Sequence, residues 1–115
     1  MKEYCLEPDQ ELQKNQPRLV IGQSAIENTE LVKQAKQPPN DPNTTWWFHL
    51  ESVPSAHIVA FDTPDPKCYL SLIKDLLLLH TKKAPSSQHV IYTLVKNVKT
   101  TDTPGLVLPG KTKKF

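Results

Sequence analysis

Proline placement is the feature of this sequence that most limits the fold. The chain has 115 residues, and eleven of them are prolines. A proline removes a backbone donor and fixes φ, so it is excluded from helix interiors and central strands. The proline-rich segments 37–44 and 62–66 are therefore predicted to interrupt regular structure. Because only 37% of the residues are hydrophobic, we expect one domain with a compact core and long, stiff loops.

Between the proline segments, the apolar pattern predicts short strands and two helices. The strands are expected at 18–22, 45–50, 56–61, 89–96 and 105–108, and the helices at 26–36 and 66–80. The second and third of these strands are close enough in sequence to pair as a hairpin. The expected fold class is α+β, with a mixed sheet of about five strands and both helices packed on it.

Two residues can each begin the first helix. Ser24 with Glu27 has the spacing of a capping box, whereas Asn28 is an equally good N-cap for a slightly later start. The sequence leaves both possibilities open.

The two ends of the chain fall outside the predicted globular part, residues 18–108. Residues 1–17 are expected to form a polar arm, or an edge strand through Tyr4 and Leu6. Residues 109–115 form a basic tail, which we expect to be mobile.

The sequence carries no pattern typical of export or membrane insertion. No segment approaches the roughly 18 apolar residues needed to cross a bilayer, and the first residues lack a signal-peptide type of apolar stretch. The two cysteines, Cys5 and Cys68, are far apart and form no C-x-x-C pair, so we expect reduced thiols. A cytoplasmic protein without a membrane partner is the resulting expectation.

Charge is unevenly distributed along the chain, although the formal net charge is only +2. The first residues are acidic, whereas the part that follows residue 81 is basic. That part contains one acidic residue, Asp102. Its basic residues are Lys82, Lys83, Lys96, Lys99, Lys111, Lys113 and Lys114. Such an end is either a surface for a polyanion or an ordinary solvated tail, and charge alone does not decide between them.

No sequence motif typical of catalysis or metal binding is present. The three glycines form no G-x-G-x-x-G motif or P-loop, and G-x-S-x-G is absent. The histidines His49, His57, His80 and His89 lack the spacing of a zinc site. Cys68 lies on a helix that we expect to be buried, which favours a structural thiol over a nucleophile. We therefore expect no enzyme, no metal and no cofactor, since a hydrolase using His49 or His57 would need a nucleophile or metal that the sequence does not supply.

The most distinctive stretch is aromatic and carries two histidines. It runs through Trp46-Trp-Phe-His-Leu50 and continues to His57. Strand alternation places Trp47 and His49 on one face of the sheet and Trp46 on the other. One interpretation is that these rings fill the core; the other is an exposed stacking surface with polar tips, which suits unpaired bases and sugar-phosphate.

The stretch 47–59, WFHLESVPSAHIV, resembles the signature of the NFACT-R RNA-binding domain family. That signature is a W-[FL]-H, a short spacer, a P-x-x-H-V type of turn and a strand. Two flanking blocks agree in order and spacing. They are Gly22-Gln-Ser-Ala-Ile-Glu-Asn28 with Leu31, and His89-Val-Ile-Tyr-Thr93 with Asn97-Val-Lys99 and Gly105-Leu-Val107. The resemblance covers about residues 18–108.

Three positions depart from the family pattern. Thr45-Trp46 stands where many members have an Asp before the W-[FL]-H, and Ser55-Ala56-His57 stands where many have Gly-Ser-His. Gln23-Ser24 replaces an Arg-Asn that follows the strand glycine.

The resemblance implies RNA binding in translation quality control. The expected partner is tRNA or ribosomal RNA, and binding to ribosomal RNA would bring the protein to the ribosome. Large members of the family help add untemplated C-terminal tails, but they carry further domains for which this chain has no room. We therefore expect an RNA-binding module without tailing activity, and the oligomeric state is left open.

The expected RNA contacts fall into three groups. The signature surface is Trp47, His49, Ser55 and His57; the residues that help shape it are Asn28, Tyr92 and Asn97; and the phosphate contacts are Lys96, Lys99, Lys111, Lys113 and Lys114. The alternative is a protein-interaction adaptor that keeps the fold but has lost the RNA site, as the substitutions at Gln23, Ser24 and Thr45 suggest. A basic face beside His49 and His57 favours RNA, and a neutral one favours the adaptor.

Overall fold

The fold is built on a six-stranded sheet whose neighbouring strands are all antiparallel. The computed structural model describes residues 1–5, 18–51, 53–63, 65–81 and 88–115. In chain order the strands are β1 (Lys2–Cys5), β2 (Arg18–Gly22), β3 (Trp46–Leu50), β4 (His57–Phe61), β5 (Val90–Leu94), β6 (Lys99–Thr100), β7 (Val107–Leu108) and β8 (Lys113–Lys114). The main sheet has the order β1-β2-β4-β3-β5-β8, and β6 pairs with β7 in a separate ribbon.

Two helices connect strands that are not neighbours in the sheet. Helix α1 (Ala25–Ala35) joins β2 to β3 across β4, and helix α2 (Leu70–Leu79) joins β4 to β5 across β3. Both connections move in the same direction along the sheet but start from antiparallel strands. If both crossovers have the same handedness, their helices must therefore lie on opposite faces of the sheet. Right-handed crossovers are strongly preferred in proteins, so this arrangement is expected. The helices do lie on opposite faces, so both faces of the central strands are covered.

Strand alternation divides the core into two clusters. On the α2 face, Phe48 and Leu50 of β3 pack with Ile73 and Leu77 of the helix. On the α1 face, Trp47 packs instead with the buried side chains Leu31, Val32, Val59, Phe61, Val95 and Val98. Because both faces are covered, β4 is buried along its whole length, as a strand between two helical layers must be.

Ser24 begins α1. Its Oγ accepts a hydrogen bond from the Glu27 N–H at 3.1 Å, and the Glu27 carboxylate accepts one from the Gln23 N–H at 3.0 Å. The bond from Gln23 is the main reason why the pKa of Glu27 lies below its ordinary value. Of the two N-caps that the sequence allowed, Ser24 is the one used, and this leaves the Asn28 side chain for another contact.

The α+β class and the two packed helices agree with the sequence prediction. The hairpin of β3 and β4 is also confirmed. Strand β1, which contains Tyr4, is the edge strand that was one of the two expectations for the first residues, whereas the edge strand β8 was not expected. The main sheet is antiparallel where a mixed sheet of about five strands was expected. Strand β5 ends at Leu94 rather than at 96, because a 3₁₀ turn follows at Val95–Asn97.

Two expectations about particular residues were wrong. The tail at 109–115 was expected to be mobile, but Lys113–Lys114 pairs with β5, and Phe115 exchanges two backbone hydrogen bonds with Val90. Cys68 was expected to be buried, but it is exposed, because it lies in a 3₁₀ turn at Lys67–Tyr69 that precedes α2.

Several predicted features lie outside the described residues. Residues 6–17 of the predicted arm, with Leu6, and the basic residues Lys82 and Lys83 belong to that group. Within the described ranges, no helix combines the length and apolar character that crossing a membrane requires.

Candidate functional site

A groove of about 730 Å³ opens where α1 begins, β4 begins and α2 ends. Its lining includes Ser24, His49, Pro54, His57, His80 and Gly105. A recess of about 230 Å³ shares His49, His57 and Gly105 with the groove. The imidazoles of His49 and His57 therefore lie where groove and recess meet.

His57 has a fixed protonation state. The indole Nε1–H of Trp47 donates a hydrogen bond to Nδ1 of His57 at 3.2 Å, so the proton of the neutral ring is on Nε2. Burial, followed by the proximity of His49, lowers the pKa of His57 from 6.5 to about 3. His57 thus stays neutral at ordinary pH, and among the described residues its Nε2–H has no acceptor.

His49 completes an aromatic trio with Trp47 and His57. Its ring stacks on the Trp47 indole, with centroids 5.6 Å apart and planes inclined by 11°. It meets His57 edge to face at 4.9 Å. Burial is the main cause that lowers the pKa of His49. His49 is only half-buried and reaches the groove, whereas the other two rings are 1% and 2% exposed.

Asn28 joins α1 to the strand that carries His57. Its Oδ1 accepts a hydrogen bond from the backbone N–H of His57 at 3.3 Å. Gly22, which pairs with His57 in the sheet, makes room for this contact, since a Cβ at Gly22 would lie 2.2 Å from that oxygen. Asn28 therefore positions the start of β4 and does not cap the helix.

Ser55 ties the β3–β4 loop together. Its Oγ accepts from the Leu50 N–H at 3.1 Å and donates to the Ala56 carbonyl at 2.8 Å. Although Ser55 lines the groove, its hydroxyl is already used to hold the loop that shapes one wall.

Three further segments complete the wall, and of these only the end of α2 lies outside the sequence blocks that carry the family resemblance. His80 and Thr81 come from the end of α2, Gln23 and Ser24 precede α1, and Gly105 approaches α1 through a bond from its N–H to Thr29 Oγ1 at 2.8 Å. The Thr81 hydroxyl oxygen is enclosed and has no partner among the described residues. Only tertiary packing brings the end of α2 to the groove, so no local spacing could have revealed it.

Trp47 and Tyr92, named from the sequence as a signature residue and a shaping residue, are both buried. Trp47 is enclosed because α1 covers its face of the sheet. Tyr92 alternates to the α2 face, where its ring stacks on Phe48 at 5.7 Å, away from the histidines. His49 is thus the ring of the predicted surface that keeps access to solvent.

The predicted lysines are spread over both faces. Lys113 lies over the Trp46 ring at 5.7 Å on the α2 face, and Lys114 pairs with Glu51 at 2.7 Å. Lys96, Lys99 and Lys111 are exposed. Asn97 is also exposed, and its amide donates to Thr93 Oγ1 at 3.0 Å.

The groove carries no formal charge among the described residues that line it. The smaller recess includes one acid, Glu51. Two basic residues, Lys36 and Lys99, lie near the other end of α1. Burial is the first cause that lowers the pKa of Lys36, and the proximity of Lys99 is the second. The face beside the histidines is therefore neutral, with basic side chains at a distance.

Comparison with known proteins adds information on the fold alone. No family model matches this chain. No curated protein matches it either. A solved structure, the C-terminal part of the fibronectin/fibrinogen-binding protein from Streptococcus suis, is similar with a TM-score of 0.72 and 18% identity. The match covers 98% of this chain and 42% of that one, so this chain spans less than half of its length.

Proposed function

We propose that this protein is an RNA-binding module whose RNA lies along the groove beside His49 and His57. The observation that carries the proposal is the meeting of three separate sequence blocks at one place. The blocks in which the chain resembles the NFACT-R family are Gly22–Asn28, the stretch 47–59, and a third block that begins at His89 and ends with Gly105-Leu-Val107. The first two contribute several residues to the groove wall, and the third contributes Gly105. Residues that merely fill a core have no reason to converge on an open groove.

The groove supplies donors without carboxylates, which suits RNA. Phosphate oxygens, 2′-hydroxyls and base carbonyls are all acceptors. The neutral His57 offers an unused N–H, and no acid lines the main groove among the described residues. An ordinary acidic peptide ligand would find the same donors, but it would lack the bases that can stack on the accessible His49 ring.

Basic residues outside the groove add the electrostatic part. Lys36 and Lys99 lie close together near the end of α1, opposite to the end that borders the groove. An eleven-residue helix spans roughly 16 Å, a distance that a few nucleotides of single-stranded RNA bridge. One strand can therefore contact the groove and this lysine pair together.

The cellular role follows from the family resemblance. We propose tRNA or ribosomal RNA as the target, in translation quality control in the cytoplasm, without tail synthesis. We also propose, from the lack of a catalytic or metal-binding motif in the sequence, that the protein is no enzyme and uses neither cofactor nor metal.

Fluorescence anisotropy with labelled RNAs tests the proposal. Wild-type protein should bind tRNA and an unpaired oligonucleotide, and His49→Ala should weaken binding and change the preference between them. His89→Ala is the matched control, since His89 is exposed and does not line the groove. Lack of binding by folded wild-type protein at low salt would overturn the proposal.

The second candidate is a protein-interaction adaptor, and by the charge criterion set from the sequence the neutral face beside His49 and His57 favours it over RNA. The rim of the groove is apolar in part, with Ile26 at 68% and Leu106 at 52% exposed on segments that border it. The structurally similar protein is named for binding fibronectin and fibrinogen, so these two are the first ligands to test. Saturable binding that is lost in Leu106→Glu, together with no RNA binding, would favour the adaptor.

A further inference from the structure

We infer that the groove contains a phosphate subsite, formed by the first turn of α1 and the Nε2–H of His57. The inference rests on the proposed RNA binding only for the source of the phosphate, which is then a phosphate group of the RNA. The same chemistry would accept a free phosphate or a nucleotide.

The first turn of α1 supplies backbone donors. Ser24 and Ala25 line the groove, and their N–H groups have no acceptor among the described residues. The first N–H groups of a helix lack partners within the helix, and the helix dipole makes this end favourable for an anion. Helix α1 has eleven residues, long enough for its dipole to matter. The Ser24 hydroxyl adds a donor, because its oxygen accepts from Glu27 and its hydrogen remains available.

His57 supplies the second, independent observation. The residue is only 2% exposed, yet it lines the groove and has an unused donor. The Trp47 bond to Nδ1 fixes that donor on Nε2, so the ring presents N–H and not a lone pair. Among the described residues the enclosed side-chain atoms without a partner are Trp46 Nε1 and Thr81 Oγ1, and His57 Nε2 is not one of them, so it remains accessible from the groove. An anion there would supply an acceptor for this N–H.

The acid of the first turn does not occupy this subsite. Glu27 is not part of the groove lining. Its carboxylate accepts from the Gln23 N–H and pairs with the amino group of Met1 at 3.0 Å. The donors of Ser24, Ala25 and His57 therefore remain available to a ligand. A phosphate has more acceptor oxygens than a carboxylate, so it can accept from more of these donors at once.

NMR at constant ionic strength tests the subsite directly. Inorganic phosphate and 5′-AMP, added against chloride, should shift the amide signals of Ser24 and Ala25 and the Nε2 signal of His57 in a saturable way. Adenosine, which lacks the phosphate, should not shift them. The imidazole of exposed His89 serves as the internal control for non-specific effects.

A proline at the first helical position removes one donor without breaking the helix. Ala25→Pro deletes the N–H, proline is favoured at this position, and Ser24 already has the extended backbone that a following proline requires (φ −144°, ψ 164°). Affinity for phosphate and 5′-AMP should fall about tenfold. Ala25→Ser, which keeps the N–H, should bind like the wild type.

The outcomes separate this inference from the proposed function. If RNA binds but leaves the Ser24, Ala25 and His57 signals unmoved, and phosphate does the same, the subsite is wrong and RNA binding stands. If phosphate shifts these signals saturably but no RNA binds, the subsite stands and the proposed function is wrong. Equal affinity of Ala25→Pro and Ala25→Ser for 5′-AMP would also overturn the subsite.

Discussion

The Trp47 indole donates its only hydrogen bond to Nδ1 of His57, 3.2 Å away, inside the α1 face of the sheet. The adjacent Trp46 points to the other face, and its Nε1 is enclosed without a partner among the described residues. Two neighbouring tryptophans thus differ in what their N–H groups do. The Trp47 bond both stabilises the fold and sets the donor that His57 presents to the groove.

This difference predicts unequal costs for the same substitution. Trp47→Phe leaves a buried Nδ1 without its donor and should lower the free energy of unfolding by about 1–3 kcal/mol more than Trp46→Phe does. Urea denaturation measures both values. Trp47 is also more buried than Trp46, so the two costs differ by more than the hydrogen bond. A double-mutant cycle of Trp47→Phe with His57→Leu separates the energy of the hydrogen bond from that of burial. A coupling of about 1 kcal/mol is expected, and zero coupling would contradict the assignment.

Stability should depend on pH through His57. Its pKa is about 3 in the folded protein, against 6.5 ordinarily, so between these values the unfolded chain binds more protons. The contribution of neutral His57 to the free energy of unfolding is therefore fully present above pH 6.5, and it is lost as the pH falls toward 3. Between about pH 7 and about pH 5, the wild type should lose roughly 2 kcal/mol more than His57→Gln.

The control for this titration is a second histidine. His89→Gln, at an exposed position, should keep the wild-type pH dependence in the same denaturation series. If His57→Gln and the wild type lose stability in parallel, His57 is not held neutral by burial, and the donor that it offers to the groove is in doubt.

The sequence was informative wherever local periodicity decides the structure. Alternation correctly separated Trp47 and His49 from Trp46, and capping chemistry identified Ser24 as one of two possible helix starts. What alternation cannot say is whether a second layer covers a given face. Here α1 covers the face that carries Trp47, so the ring that resembled a stacking platform became core.

Other parts of the site had no local signal at all. His80 and Thr81 reach the groove through the path of α2, which depends on how that helix crosses the sheet. The basic tail gave a misleading signal, because charged residues are common both in mobile ends and in short edge strands. Only the pairing of Lys113–Lys114 with β5 distinguishes the two.

Close packing of Gly22 against Asn28 predicts a large effect from one methyl group. A Cβ at Gly22 would lie 2.2 Å from Asn28 Oδ1, so Gly22→Ala must displace the amide that holds the His57 backbone. A loss of about 2 kcal/mol or more in unfolding free energy is expected, together with a shift of the His57 amide signal.

The effect should depend on the oxygen that is displaced. In an Asn28→Ala background that oxygen is absent, and Gly22→Ala should cost less, although backbone atoms of residue 28 remain 3.1 Å from the added Cβ. Equal costs in both backgrounds, measured by urea denaturation, would mean that the amide contact does not explain the requirement for glycine.

Lys114 should matter little for RNA binding, although it belongs to the basic tail. Its ammonium already pairs with Glu51 at 2.7 Å, so the charge is largely compensated. The double variant Lys114→Gln with Glu51→Gln removes this pair without changing the net charge. Its RNA affinity and the salt dependence of that affinity should match those of the wild type in anisotropy titrations.

The salt dependence should instead come from Lys36 and Lys99. Burial and then the proximity of Lys99 lower the pKa of Lys36, and among the described residues neither lysine has an acidic partner. An RNA phosphate between them would relieve their repulsion and release counterions. Replacing both with glutamine should weaken all RNAs alike, and it should reduce the slope of log affinity against log salt by about 1–2.

A control with the same charge change distinguishes local contact from net charge. Lys67→Gln with Lys74→Gln also removes two positive charges, but from the 3₁₀ turn and the helix on the α2 face. If RNA lies along α1, this control should leave the slope close to that of the wild type, while the Lys36 and Lys99 variant flattens it. If both variants flatten the slope equally, only the overall charge attracts RNA. Binding along the groove and α1 would then lose its electrostatic support.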